Sequence, residues 1–126
     1  AAFELLGEQP PGLRLSCRNV VPHARGLGSS SAAIVGGVVL ARALVAGGEL
    51  LLDDGALLRL AARIEGHPDN VAPALLGGFV VSGQEDGEWY AVGSPVDPRV
   101  GAVVLVPPTP VSRATGPQKP TGRTRW

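Results

Sequence analysis

Apolar residues recur at helical spacing along three stretches of the chain. A run of small and branched apolar residues predicts a helix over about residues 30–46, ended by the pair Gly47-Gly48. A second helix is predicted from Asp53 or Asp54 to Glu65, and a short third helix from Val71 to Leu76, with Asn70 as its capping residue. The first seven residues have the pattern of a helix end closed by a glycine.

Alternation of apolar and polar positions predicts a strand before the first long helix. Residues 12–21 alternate in this way, with Leu13, Leu15 and Cys17 on the side that we expect to be buried. Pro22 ends the alternation. The sequence therefore predicts a half-buried strand that leads directly into a glycine- and serine-rich loop.

Further strands are predicted after the helices. Residues 79–82 and 89–92 are expected to pair as a hairpin through a turn at residues 84–87. Residues 102–106 form an uninterrupted apolar run that predicts a buried strand. Strands that surround a group of helices in this way indicate an α+β fold class.

Composition narrows the function classes. Apolar residues make up 44% of the chain, which is enough for a core, and 11 basic residues balance 11 acidic ones, which does not favour a nucleic-acid partner. The single cysteine and the lack of a long apolar segment favour a cytoplasmic protein without a membrane partner. The oligomeric state is left open.

The end of the chain differs in character from the rest. Residues 107–126 carry five of the twelve prolines and show no apolar periodicity. We therefore expect one domain over residues 1–108, followed by a basic, proline-rich and disordered tail over residues 109–126.

The connection between the first strand and the first long helix has the character of a phosphate-binding loop. Two glycines allow the backbone to turn with positive φ, and serines open the helix where free N–H groups favour an anion. No lysine is present for a Walker loop, and the third glycine of a dinucleotide fingerprint is missing. A plain connection with serine caps explains the same composition. The candidate residues are Pro22, His23, Ala24, Arg25, Gly26, Leu27, Gly28, Ser29, Ser30, Ser31 and Ala32.

A second polar group lies between the two later helices, at residues 65–70. It brings Glu65, His67, Asp69 and Asn70 within six positions, and such a set can hold a metal together with an amine or a carboxylate. The alternative is a purely structural role, in which Glu65 ends a helix, Asp69 and Asn70 cap the next one, and His67 is a loop histidine. A zinc site is not favoured, because His23 is the only other histidine and no cysteine is nearby.

Taken together, the two motifs resemble those of the GHMP kinases, and the resemblance covers about residues 1–112. Pro-x-x-x-Gly-Leu-Gly-Ser-Ser-x-Ala at residues 22–32 resembles their phosphate loop, and Glu-Gly-His-Pro-Asp-Asn-Val-Ala-Pro-Ala-Leu-Leu-Gly-Gly at residues 65–78 resembles the homoserine kinase branch. The resemblance implies a partial GHMP kinase N-terminal, ATP-binding domain, similar to the second domain of ribosomal protein S5. It also implies that an N-terminal segment and a C-terminal domain of the family are missing.

The resemblance further implies a set of residue roles. Residues 22–32 would wrap the ATP phosphates, Ser29 and Glu65 would bind Mg²⁺, and His67, Asp69 and Asn70 would line the pocket for L-homoserine. Asp69 is suited to pair with the substrate ammonium and is also considered as a catalytic base. The implied reaction is ATP-dependent phosphorylation of L-homoserine to O-phospho-L-homoserine, a step toward threonine, in a longer parent protein.

Two alternatives remain beside this hypothesis. The first is a GHMP kinase that acts on another small alcohol, and the second is a non-catalytic remnant. For the 126-residue chain itself we expect no kinase activity, because the implied active site is a cleft to which the C-terminal domain contributes.

Overall fold

A computed structural model describes residues 1–106 and residue 108. In this part of the chain, helices pack around one long central helix and a two-stranded antiparallel hairpin lies against them, which confirms the α+β class. The elements in chain order are α1 (Ala2–Leu6), α2 (Ser29–Ala43), α3 (Gly48–Leu51), α4 (Asp54–Glu65), α5 (Val71–Leu76), β1 (Phe79–Glu85) and β2 (Glu88–Ser94).

Helix α4 has the sequence signals of both its ends. The Asp53 side chain accepts a hydrogen bond of 2.7 Å from the Ala56 N–H, which satisfies one of the free donors of the first turn. Gly66 ends the helix in the left-handed conformation at φ 92°, and its N–H donates to the Ala62 carbonyl. The predicted bounds of this helix are therefore confirmed, as are those of α5.

Helix α2 ends earlier than its apolar pattern predicts. The last helical residue is Ala43, three residues before the expected end. Gly47 then turns with φ 70°, and Gly48 packs so closely on the Arg42 carbonyl that no Cβ fits there. This backbone contact lets the chain fold back into the short helix α3, and the apolar pattern does not reveal it.

The core consists of two apolar clusters that share α2. One cluster joins α2 to α1, to α4 and to Leu52, which directly follows α3, and the other joins α2 to α4, α5 and the hairpin. Leu57 in the first cluster and Val71 in the second are fully buried. The two clusters together hold the N-terminus of α2 near the C-terminus of α4, which positions the site described below.

The hairpin β1–β2 turns through Asp86 and Gly87, both of which have positive φ. That is the turn type whose twist matches two antiparallel strands, and it explains why the hairpin forms locally. Val80 and Ala91 pack on the second cluster, whereas Val81 and its cross-strand partner Val92 are exposed. β1 begins at the predicted residue and extends three residues further, whereas β2 is longer than predicted at both ends.

Two of the predicted strands are wrong. In the described residues, neither 12–21 nor 102–106 lies in a strand, and both segments expose apolar side chains, Leu15 by 67% and Leu105 by 90%. Cys17 is also exposed instead of buried. The physical reason is that a strand needs a partner for its backbone groups, and here β1 and β2 pair only with each other.

The expected tail over residues 109–126 lies outside the described residues. Among the helices that the structure describes, none combines the length and apolarity that a bilayer crossing requires.

Candidate functional site

The two polar motifs of the sequence meet in one cleft. Its volume is about 210 Å³, and it lies where the loop before α2 faces the C-terminal end of α4. The lining residues come from both motifs and are Ala24, Arg25, Gly26, Leu27, Gly28, Ser29, Ser30, Glu65, His67 and Asn70.

The backbone of the loop is shaped by residues with positive φ. Ala24, Gly26 and Gly28 have φ values of 52°, 74° and 70°. Gly28 is the N-cap of α2, and the first bond within the helix runs from the Ala32 N–H to the Gly28 carbonyl at 2.9 Å. The N–H groups of the first turn therefore point out of the helix, at the positive end of its dipole. This arrangement suits a phosphate group.

The three consecutive serines of α2 have different surroundings. The Ser29 hydroxyl lies 3.3 Å from His23 Nδ1, and the Ser30 hydroxyl donates a hydrogen bond of 2.9 Å to Glu65 Oε2. Ser31 is fully buried, and its hydroxyl has no hydrogen-bond partner among the described residues. Successive residues of a helix point about 100° apart, so the hydroxyls of adjacent serines face different neighbours. The serine in contact with Glu65 is Ser30, whereas the family resemblance implies Ser29 as the Mg²⁺ ligand.

Glu65 is an almost buried carboxylate. Only 5% of its side chain is exposed, and its Oε1 lies 4.0 Å from His67 Nε2. The residue ends α4, where the helix dipole is negative and favours cations. A carboxylate held in such a place favours a cation nearby, because burial raises the strength of every charge interaction.

The Asn70 side chain does not make the capping contact that its position before α5 predicts. Asn70 precedes α5, but its side chain makes no capping hydrogen bond, so this part of the capping prediction is wrong. The side chain instead packs on the phosphate loop, where a Cβ on Gly28 would lie 3.3 Å from both Asn70 Cβ and Asn70 Cγ. Asn70 therefore connects the second motif to the first.

Some predicted site residues lie elsewhere. Asp69 is exposed and does not line the cleft in the described part of the chain. His23 and Ala32 line a neighbouring, mainly apolar groove of about 520 Å³, which Ser29 shares with the cleft. Pro22 is exposed at the start of the loop.

A metal ion at this site would depend on oxygen ligands from several sources. Residues 1–106 and 108 contain no group of three or more His, Cys, Asp or Glu side chains placed to hold a metal. Glu65 and the hydroxyl beside it are hard oxygen donors of the kind that Mg²⁺ accepts, and Mg²⁺ commonly takes one or two such ligands together with substrate phosphates. The residues present fit such an ion.

The part of the chain that contains both motifs is similar in sequence to known proteins. A family model described as the GHMP kinases N terminal domain matches residues 1–78. Homoserine kinase from Streptomyces coelicolor is 56% identical over 114 residues, which make up 90% of this chain and 37% of the relative. Homoserine kinase from Carboxydothermus hydrogenoformans is 56% identical over 105 residues, or 83% of this chain and 33% of the relative.

A further relative has the same extent of match. Homoserine kinase from Streptomyces avermitilis is 57% identical over 106 residues, which make up 84% of this chain and 35% of the relative. The chain thus spans about a third of the length of the curated relatives that it matches.

Proposed function

The chain belongs to the GHMP kinase family, and on that premise we propose that it forms the ATP-binding part of a kinase that converts L-homoserine to O-phospho-L-homoserine. The observation that carries the proposal is the cleft that joins the glycine- and serine-rich loop to the Glu65–Asn70 segment. The names of the similar proteins support homoserine as the acceptor.

The loop before α2 binds the phosphates of ATP in this proposal. Positive φ at Gly26 and Gly28 brings the backbone close to the ligand, and the first N–H groups of α2 donate to phosphate oxygens. Phosphoryl transfer needs mainly positioning and charge stabilisation, both of which fixed backbone donors supply.

Glu65 and Ser30 hold Mg²⁺ in this proposal. The 2.9 Å hydrogen bond between them supports Ser30 over Ser29, the residue expected from the sequence. When bound, the metal neutralises charge on the phosphates. Glu65 is suited to anchor it, because its carboxylate is fixed at the end of α4 and is shielded from water.

The acceptor side of the cleft is formed by the second motif. His67 and Asn70 line the cleft and are proposed to contact L-homoserine. Asp69 is exposed, and we assign it to the substrate ammonium, which an exposed carboxylate can pair with as the substrate enters. Its role as a catalytic base carries less weight than this binding role, because phosphoryl transfer depends chiefly on positioning.

The test uses a chimera in which this chain replaces the matching third of the Streptomyces coelicolor enzyme. We expect ADP production with L-homoserine, and little with mevalonate or galactose. In this chimera, Glu65→Gln should lower kcat at least about a hundredfold, since it keeps the size but removes the charge that anchors the ion. Raised Mg²⁺ should restore part of the rate.

Glu49→Gln serves as the matched control, because Glu49 is an exposed residue of α3 away from the cleft. Its kcat should equal that of the unmodified chimera. A normal kcat for Glu65→Gln would reduce Glu65 to a helix-end residue. Preferential phosphorylation of mevalonate or galactose would instead show that the acceptor class is wrong.

A further inference from the structure

A chain of hydrogen bonds precedes the phosphate loop and ends on its first serine. The Asn19 side chain makes two hydrogen bonds to the backbone of Val21. Its Oδ1 accepts from the Val21 N–H at 2.9 Å, and its Nδ2 donates to the Val21 carbonyl at 3.1 Å. These two bonds identify which end of the amide is nitrogen. The second hydrogen of the same Nδ2 points to His23 Nε2 at 2.9 Å.

This contact defines the tautomer of His23. An amide nitrogen only donates, so His23 Nε2 must accept and carries no hydrogen. In a neutral imidazole the hydrogen is then on Nδ1. Nδ1 lies 3.3 Å from the Ser29 hydroxyl oxygen and therefore donates to it. The ring cannot take a proton from Ser29 in this arrangement, because its facing nitrogen is already protonated.

The consequence lies at Ser29. Its oxygen accepts from His23, so its own hydrogen is directed to another acceptor, and Ser29 lines the proposed nucleotide cleft. We propose that Asn19 and His23 act as positioning residues that fix the Ser29 hydroxyl as a hydrogen-bond donor to a nucleotide phosphate. This inference rests on the proposed function of the cleft, and it goes further by dividing the roles of the serines.

The same bond makes Ser29 a poor ligand for a cation. The positive end of the His23 N–H faces its oxygen, and a divalent ion on that oxygen would be repelled. Ser30 has the opposite environment, since its partner is the Glu65 carboxylate. Neighbouring hydroxyls of one helix turn are thus assigned to different parts of the same ligand: Ser29 to a phosphate oxygen and Ser30 to the metal.

The tautomer can be measured directly on the 126-residue chain without any nucleotide. Long-range proton–nitrogen correlation spectra distinguish the two neutral tautomers and the protonated ring, and His67→Gln assigns the signals, because the chain has only two histidines. We expect the Nδ1–H form at His23. Asn19→Asp replaces the donor by an acceptor, so a ring that the spectra show to be neutral should change to the Nε2–H form.

Binding of ADP and of a non-hydrolysable ATP analogue, with Mg²⁺ and with a chelator, tests the role of Ser29. Ser29→Ala should weaken binding about tenfold in both conditions, since it removes a donor to a charged group. Ser30→Ala should chiefly reduce the gain in affinity that Mg²⁺ provides.

A matched pair at His23 separates positioning from packing. His23→Asn keeps a donor where Nδ1 lies and should bind within about twofold of the unmodified chain, whereas His23→Leu should weaken binding about threefold. The effect is expected to be modest because the contacts of His23 are exposed to solvent.

These experiments distinguish a failure of the inference about His23 from a failure of the proposed function. An Nε2–H ring in the unmodified chain overturns the inference whether or not nucleotide binds, as does equal binding by His23→Leu and His23→Asn. If the unmodified chain binds neither nucleotide, the proposed function fails for this chain and the phosphate role of Ser29 fails with it. An effect of Ser29→Ala that requires Mg²⁺ returns Ser29 to the metal and overturns the division of roles.

Discussion

The helices around the cleft and the irregular segments outside them bury similar residues very differently. Leu57 in α4 and Val71 in α5 have no exposed surface, whereas Leu15 is 67% and Leu105 is 90% exposed. The difference is not one of apolar content, because residues 102–106 are as apolar as any helix of the chain. For these segments, packing in a core first requires that the backbone hydrogen bonds be satisfied, although a helix does not bury all its residues: Leu50 in α3 is 92% exposed.

A helix meets that requirement within itself, and a strand does not. Helices α4 and α5 form their backbone bonds locally and then need only a surface on which to pack. The hairpin is intermediate, because the Asp86-Gly87 turn brings its own partner strand alongside. Residues 12–21 have no such neighbour among the described residues and remain exposed.

The largest expected difference in stability is between truncating a leucine in a helix and truncating one in an irregular segment. Leu57→Ala removes a fully buried side chain from the first cluster and should lower the free energy of unfolding by about 2–5 kcal/mol. Leu105→Ala should change it by less than about 0.5 kcal/mol, since the side chain is exposed. Urea unfolding followed by circular dichroism measures both, and equal losses would show that residue 105 is packed in solution.

Substitutions at Gly28 and Gly26 test whether the contact with Asn70, just before α5, helps to shape the phosphate loop. Gly28→Val should weaken ATP binding at least about tenfold, or roughly 1.4 kcal/mol, because a branched residue resists positive φ and its methyl groups meet Asn70. Gly26→Val has the same φ strain but open space around it, so its effect should be smaller.

Calorimetric titration of both folded variants gives the comparison. Equal weakening would mean that the backbone strain acts alone and that the contact with Asn70 contributes nothing. Unchanged ATP affinity in Gly28→Val would contradict the assignment of a phosphate loop.

The two predicted helix caps differ by a single hydrogen bond. Asp53→Ala removes the bond to the Ala56 N–H and should lower the free energy of unfolding by about 1 kcal/mol. Asn70→Ala should lower it by less than about 0.5 kcal/mol, because the Asn70 side chain makes no capping bond. Thermal unfolding of the two variants checks this order, and a larger loss for Asn70→Ala would assign it a structural role.

The smallest expected effect concerns the ion pair that links the helices to the hairpin. Arg59 Nε in α4 lies 3.7 Å from Glu88 Oε2 in β2, and both side chains are partly exposed. Glu88→Gln should therefore lower the free energy of unfolding by less than about 1 kcal/mol, and less still at high salt. Glu8→Gln, at an exposed residue outside the helices and the hairpin, controls for the loss of a charge, and a loss that salt does not reduce would contradict an electrostatic origin.

The helical part of the fold is predictable because its signals are local. Asp53 and Gly66 mark the two ends of α4 within the sequence that forms it, and the structure confirms both. The end of α2 at Ala43 is not predictable in this way. It depends on the fit of Gly48 against the Arg42 carbonyl, which exists only after the chain has turned back.

The candidate site also has a part that local sequence predicts and a part that depends on tertiary packing. The motif at residues 22–32 and the motif at residues 65–70 are visible as composition, spacing and family resemblance, and relatives share the stretch that contains them. The hydroxyl that reaches Glu65 could not be read from three adjacent serines. Helical rotation by about 100° per residue and the packing of α2 on α4 select Ser30.

The sequence by itself determined the bounds of α4 and α5, which glycines can turn with positive φ, and which polar groups are available for phosphate and metal chemistry. Each of these depends on the covalent chain within a few residues. The tertiary structure decided which apolar segments are buried, that Asn70 packs on Gly28, and that the His23 ring meets the Ser29 hydroxyl. Those contacts join groups whose relative directions are set by side-chain packing and backbone turns, so they exist only once the chain has folded.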